Sequence, residues 1–367
     1  MNETIYTIAL SRLPGINLSI ALRLYEKYGS AEAIFALKNP PEDMNERGKK
    51  MLMEAISNRK EVIERAKVEL DYCNEKGIQT ICFNDARYPN LLRNCDDAPL
   101  ILFYLGTADL NTKRIISVVG TRRITEYGKD LCRNFCCDLA RLLPDTLVVS
   151  GLAYGVDIHI HRGCLENNLD TVAVLAHGLD RVYPALHRLT AAKMTKHGGL
   201  LTEFLTQTQP KPENFVRRNR IVAGMSVATV VIESAERGGA LITARLAQDY
   251  NRNVFAFPGR ANDQYSQGCN NLISNNVAGL ISSAEDFVKQ MGWEVNKKKH
   301  VQRELFPDLT EQEKKVCQLL AQDDRKQLNQ LVVESGISVS ILTSVLFDLE
   351  LKGIVKPIPG GRYRLLK

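Results

Sequence analysis

The 367-residue chain is short of several things, and each shortage closes off a class of protein. Its nine cysteines are odd in number and include no Cys-x-x-Cys pair, so neither a disulfide scaffold nor a tight thiolate metal site is expected. The closest group, Cys132, Cys136 and Cys137, falls in a helical stretch and reads as small buried hydrophobes in a reducing compartment. Nowhere do eighteen apolar residues run together, and residues Met1 to Leu13 show no basic segment ahead of an apolar core. Neither a membrane span nor a signal peptide is expected, and the chain reads as cytoplasmic. Prolines are few and 44% of residues are hydrophobic, which excludes collagen-like and disordered classes. The 48 basic and 42 acidic side chains leave a net charge of only +6, too little for a polybasic coat. A nucleic-acid site would have to concentrate its charge.

What is present suggests two or three domains. Residues 1–77 are helical in pattern, with Leu13-Pro-Gly-Ile16 separating the first two helices. That turn resembles a helix-hairpin-helix element, but an ordinary helix-to-helix turn is preferred, because residues 1–76 carry 12 basic and 12 acidic side chains and offer a polyanion no net charge. In residues 78–293, from Ile115 onward, β-branched runs at 115–119, 147–150, 171–175, 200–202, 228–232 and 254–256 alternate with helical stretches near 127–142, 158–167, 185–197 and 242–250. This is the pattern of an α/β domain with a doubly wound, Rossmann-like parallel sheet. A linker is expected over 294–307. Residues 308–367 then read as a winged helix: a Thr310-x-x-Glu313 capped helix, two more helices broken at Ser335-Gly336, and a hairpin around Pro359-Gly360-Gly361. Its candidate recognition helix, Ser338 to Lys352, presents mostly Ser and Thr. Weak backbone contact or protein docking therefore suits it better than base reading.

In a doubly wound sheet, ligands bind beyond the carboxyl ends of the strands, so the residues at those ends matter most. After the first run come Gly120, Thr121, Arg122 and Arg123, a glycine turn in which backbone N–H groups at the next helix start could meet phosphate. Gly-x-Gly-x-x-Gly is absent, and Ser150-Gly151 carries no acidic residue for a ribose, which disfavours NAD and FAD. Asp157, His159 and His161 invite a metal hypothesis. The preferred reading makes Asp157 a helix N-cap and puts the two histidines on different helix faces, with His161 hydrogen-bonded beneath the loop. Between Lys211 and Arg220, four basic residues, Lys211, Arg217, Arg218 and Arg220, surround Phe215 and Asn219, opposed only by Glu213. An aromatic face beside guanidinium forks suits single-stranded nucleic acid, although a solvated helix start with Phe215 turned inward fits equally. Gly238, Gly239 and Thr243 lie in a further glycine turn leading into a helix. Several such turns argue for an extended anionic ligand.

The ordered series Val118-Val-Gly-Thr-Arg122, Ser150-Gly-Leu-Ala-x-Gly-x-Asp157 with His161, Gly178-Leu-Asp180 with Tyr183-Pro184, Phe215-x-x-Arg-Asn-Arg220, Gly239-x-Leu-Ile-Thr-Ala244 and Phe257-Pro-Gly259 resembles the DNA-processing protein A family, DprA/Smf. Tyr88-Pro89-x-Leu91, Asp97-x-Pro99 and Leu102-x-Tyr104-x-Gly106 extend the match. The resemblance implies a homodimeric protein that binds single-stranded DNA without catalysis, cofactor or metal and loads the RecA recombinase during natural transformation. It implies that Arg122 holds phosphate, that Phe215 stacks or wedges at a base, that Arg218 and Arg220 line the pocket, and that Gly238 and Gly239 admit the strand closely. Tyr154, Ile160 and Gly238-Gly239-Ala240 depart from the family pattern. The competing class is a phosphoribohydrolase-type Rossmann enzyme, but Arg237-Gly-Gly-Ala-Leu-Ile-Thr243 lacks that class's Pro-Gly-Gly-x-Gly-Thr turn and following glutamate. Residues 297–367 carry 13 basic and 9 acidic side chains, which leaves residues 77–296 a net +2 of the total. The binding charge is therefore expected in one local pocket.

Overall fold

A computed structural model describes residues 2–294, 309–322, 326–358 and 360–366. The chain divides into two compact units, Met1–Asn296 and Lys297–Lys367. The expected linker lies almost wholly outside the described residues.

The first unit opens with helices α1 (Asn2–Leu10), α2 (Leu18–Tyr28), α3 (Ala31–Phe35), α4 (Glu46–Ser57) and α5 (Lys60–Lys76). Gly15, at φ 77°, makes the turn between the first two, and the Asn17 side chain caps α2 by accepting from the Ile20 N–H. Next come β1 (Gln79–Cys82), α6 (Asn90–Arg93) and β2 (Ile101–Gly106). From there strand and helix alternate: β3 (Arg114–Val119), α7 (Glu126–Leu142), β4 (Thr146–Ser150), α8 (Val156–Glu166), β5 (Thr171–Val174), α9 (Arg188–Met194), β6 (Gly198–Thr202), α10 (Pro212–Gly224), β7 (Ala228–Val231), α11 (Gly239–Asp249), β8 (Asn253–Ala256), α12 (Gln267–Ser274), β9 (Gly279–Leu280) and α13 (Ala284–Gln290).

The nine strands form one sheet in the order β1-β2-β6-β5-β4-β3-β7-β8-β9. Strands β3 to β9 are parallel, as the run of β-branched residues buried on both faces requires. The periodic pattern begins at Ile115 but the sheet does not: β1 and β2 add an antiparallel extension beyond β6. One face packs on α10, α11, α12 and the N-terminal helices in a core that joins Ile8, Leu52 and Leu70 to Val149, Val174 and Val231. The opposite face packs on α7, α8 and α13 through Phe135, Ile160 and Phe287. The domain is thus doubly wound. Strand order reverses between β3 and β7, which opens a crevice at the carboxyl ends of these two strands.

The second unit comprises α14 (Glu311–Gln322), β10 (Lys326–Gln327), α15 (Leu328–Ser335), α16 (Val339–Leu351), β11 (Val355–Ile358) and β12 (Arg362–Leu365), with sheet order β10-β12-β11. The expected capping box is formed. Glu313 accepts from the Thr310 N–H at 2.7 Å, and the Thr310 hydroxyl accepts from the Glu313 N–H at 3.3 Å. Gly336, at φ 66°, ends α15. Leu320, Leu331, Leu342, Leu346 and Leu349 make a separate core, while Val339, Ile341, Phe347 and Leu351 of α16 remain exposed. No single helix among the described residues is long and apolar enough to cross a membrane.

Candidate nucleic-acid interface

The crevice between β3 and β7 is a cleft of about 610 Å³, lined by turns after β3, β4 and β7 and by one face of α10. Pro212 opens that helix at its first position, where a missing N–H costs nothing. Phe215, Arg218, Asn219 and Val222 follow at i, i+3, i+4 and i+7, and all four line the cleft. Phe215 is partly exposed. The Arg122 guanidinium lies 5.1 Å from its ring centroid, and the Tyr183 ring sits 5.9 Å away on the same side chain. Arg122, Arg123 and Arg237 are exposed at the cleft wall and form no ion pair among the described residues.

The turns differ in what they leave open. After β3, Gly120 is enforced sterically, since a Cβ there would fall 2.4 Å from Val156 and 2.9 Å from the Glu233 carbonyl. Thr121 donates its N–H to that carbonyl at 2.7 Å. The helix that follows is not open to a ligand as expected, because the protein fills its start. Buried Glu233 accepts from the Thr125 N–H at 2.9 Å and from the Thr125 hydroxyl, placing a carboxylate at the positive end of α7. Gly128 leaves room for it, since a Cβ there would lie 2.2 Å from a Glu233 oxygen. The turn after β4 is also internally satisfied. Asp157 is not the N-cap of α8. Gly155, at φ 77°, takes that place, and Asp157 reaches back from the first turn to accept from the Gly151 and Ala153 N–H groups at 3.1 and 3.2 Å. The Ser150 hydroxyl is buried and donates to the Val118 carbonyl at 2.7 Å. After β7, by contrast, Gly238 caps α11 without any side chain, and a Cβ on Gly239 would meet nothing within 4 Å. With Thr243 one turn further on, this is the helix start that faces the cleft uncovered.

The arginines of α10 divide between two faces. Arg218 forms the cleft floor. It is 4% exposed, donates to the Val174 carbonyl at 2.7 Å and packs against the Gly151 backbone, while its Nε finds no partner among the described residues. Burial lowers its pKa to about 10, against the opposing pull of Asp157. Burial in turn raises the Asp157 pKa, partly offset by Arg218. Arg217 and Arg220, spaced i, i+3, lie off the cleft, where both donate to buried Glu203 at 2.7 and 2.6 Å. Arg220 also donates to the Asp97 carbonyl. The expectation that Arg220 lines the pocket is therefore not what the structure shows; an unforeseen carboxylate on the preceding loop holds it. Lys211 is exposed at the N-cap of α10, between the two prolines that line the cleft.

His159 and His161 do fall on different sides of α8. His159 is partly exposed. His161 is fully buried, with Nδ1 2.7 Å from the Thr171 hydroxyl. That hydroxyl gives its proton to the Val148 carbonyl at 2.9 Å, so it accepts from Nδ1–H. Nε2 is left without a partner among the described residues, and burial lowers the pKa to about 3. Cys132 and Cys136 are buried and Cys137 is exposed, so the three thiols do not face one point.

The sequence gives no sign of the roles of Glu203 and Glu233, and Tyr183 and Arg237 stand in its motifs without a site role. The helical period of α10 was the available signal for separating its two sets of arginines.

Fold and cleft together define a doubly wound, Rossmann-like domain with an arginine-lined crevice at its topological switch point, joined to a winged-helix unit. Residues 79–292 match the family model described as DNA recombination-mediator protein A, and residues 304–361 match the DprA winged helix domain. The chain belongs to this family of DNA-processing proteins. It is 30% identical to Protein Smf of Synechocystis over 99% of each chain, and 34% identical to a putative DNA processing protein DprA of Mycobacterium tuberculosis over 83% of this chain and 81% of the relative. Among solved structures, DNA processing protein A of Streptococcus pneumoniae superposes with a TM-score of 0.65 at 29% identity, covering 79% of this chain and 98% of that one. The Helicobacter pylori protein, whose structure addresses its single-stranded DNA binding mode, gives 0.53 at 27% identity over 58% of this chain and 95% of that one.

Proposed function

We propose that the chain binds single-stranded DNA in the switch-point cleft and performs no chemistry on it. One observation carries the reading: three unpaired arginines, Arg122, Arg123 and Arg237, converge with Phe215 and Tyr183 on one opening beside the uncovered start of α11. Cations track the backbone, and an exposed ring stacks only on a base that is itself unstacked, which favours a single strand over a duplex. The binding mode named for the Helicobacter pylori relative supports this. Within the reading, residues 78–293 hold the strand, and Gly238 and Gly239 allow its close approach. Titration of labelled single- and double-stranded oligonucleotides at two salt concentrations tests it. Preferential single-strand binding that tolerates sequence and weakens steeply with salt is expected. Equal or tighter duplex binding contradicts it.

From the family resemblance we further propose a homodimer that acts as a recombination mediator, protecting incoming DNA and loading RecA during natural transformation. Sedimentation of the chain alone, and RecA filament assembly on a strand with and without it, test the two parts. A monomer at micromolar concentration, or unchanged filament assembly, contradicts them.

A further inference from the structure

Residues 203–211 connect β6 to α10, bring Pro210 to the cleft wall and lead into Pro212 and Phe215, which line it. No helix or strand holds this segment, and Gln207 within it sits at φ 65°. Gln207 and Gln209 bond to Asp180 and Arg181 of the sheet domain, and the N-terminal helical layer holds Thr206. Glu69 of α5, 2% exposed, accepts from the Thr206 N–H with both oxygens, at 2.9 and 3.1 Å, and from the Thr206 hydroxyl at 2.6 Å. Arg65, one turn earlier, pairs with Glu69 at 2.9 Å and donates to the Thr206 carbonyl at 2.8 Å. All three polar groups of one connecting residue therefore end on α5. From the turn after α1, Arg12 donates to the Glu203 carbonyl at 3.1 Å, and the Glu203 side chain holds Arg217 and Arg220 of α10.

Resting on the strand-binding reading above, we infer that Glu69 and Arg65 are positioning residues for the cleft: the N-terminal layer latches the segment that leads into α10 and presents Phe215. A segment ordered before binding spares the strand that ordering cost, so releasing it weakens affinity without removing a phosphate contact. A direct phosphate contact behaves differently, because its loss also flattens the salt dependence, by about 0.7 per phosphate for a single strand.

The test uses the full chain and a labelled oligothymidylate, titrated across a salt series. Glu69→Ala is expected to raise Kd about tenfold with an unchanged salt slope, and to speed amide exchange at Thr206. Glu69→Gln, which keeps an acceptor oxygen, is expected to recover most of the affinity. Thr206→Val removes only a hydroxyl and is the variant that decides if Glu69→Ala does not fold; about a threefold rise with the same slope is expected. Wild-type Kd in a folded Glu69→Ala or Thr206→Val chain overturns the latch, as does a slope flattened as far as in Arg122→Ala. Arg122→Ala is the separate control. If it binds like wild type, the cleft reading itself fails; if it weakens while the latch variants do not, only the latch fails.

Discussion

Replacing Gly151 with alanine tests how tightly the floor of the cleft is built. A Cβ at this position would lie 1.6 Å from Arg218 Nη1 and 2.3 Å from its Cζ. Two escapes exist. Arg218 can swing away, leaving the buried Val174 carbonyl without its 2.7 Å donor. Alternatively the turn can lift, breaking the Gly151 and Ala153 N–H bonds to Asp157. Each route loses hydrogen bonds to a charged group, worth about 1.5–3 kcal/mol apiece, so a total loss of about 2–4 kcal/mol is expected. In a unit of this size that lowers Tm by roughly 4–12 °C. Thermal melts and urea titrations of wild type, Gly151→Ala, Arg218→Ala and the double variant measure it. Because the clash is with the guanidinium, Gly151→Ala should cost almost nothing when Arg218→Ala is already present. A single variant melting within about a degree of wild type, or strictly additive losses in the double variant, would refute the reasoning.

Three further outcomes are expected. Gly239→Ala meets open space at the first residue of α11, so it should melt at or slightly above wild type while weakening single-strand binding; unchanged binding would show that no strand approaches there. Glu233→Ala strips the partners of Thr125 and the carboxylate from the start of α7, and should lose about 2–4 kcal/mol in urea unfolding; a loss below about 1 kcal/mol contradicts the role given to it. His161 is held neutral in the fold with a pKa of about 3, so below its ordinary value of 6.5 the unfolded chain binds a proton that the native chain refuses. Its contribution to stability is thus complete above pH 6.5 and falls toward pH 3, with a limiting slope of about 1.4 kcal/mol per pH unit. A folded His161→Gln variant should lose that slope between pH 6.5 and 5, and a pH profile parallel to wild type would count against it.

The parallel part of the sheet was legible because strands buried on both faces must be apolar and β-branched, and 115–119 to 254–256 stand out on that ground alone. The antiparallel β1 and β2 were not. Their register depends on β6, about a hundred residues further along, and Gln79–Cys82 is only partly buried. At the site, composition identified the Lys211–Arg220 cluster but not its division. Arg218 and Arg220 stand two apart, which on a helix puts them on different faces, and the carboxylate that takes up Arg217 and Arg220 lies in a separate segment. The glycine turns show the same limit. Gly120, Gly151 and Gly239 look alike in sequence, yet Glu233 and Asp157 satisfy the first two from within, and only the third stays open. Which donors remain free is a property of the folded hydrogen-bond network, where nearly every buried donor finds a partner.

The strand is placed in the cleft between the ends of β3 and β7. Photo-crosslinking of an oligonucleotide carrying 5-iodouracil to the full chain, followed by mass spectrometry, tests it most directly. Crosslinks to Phe215 and Tyr183, lost when unlabelled single strand competes, are expected. Crosslinks confined to residues 309–366, with none on the cleft, would contradict it.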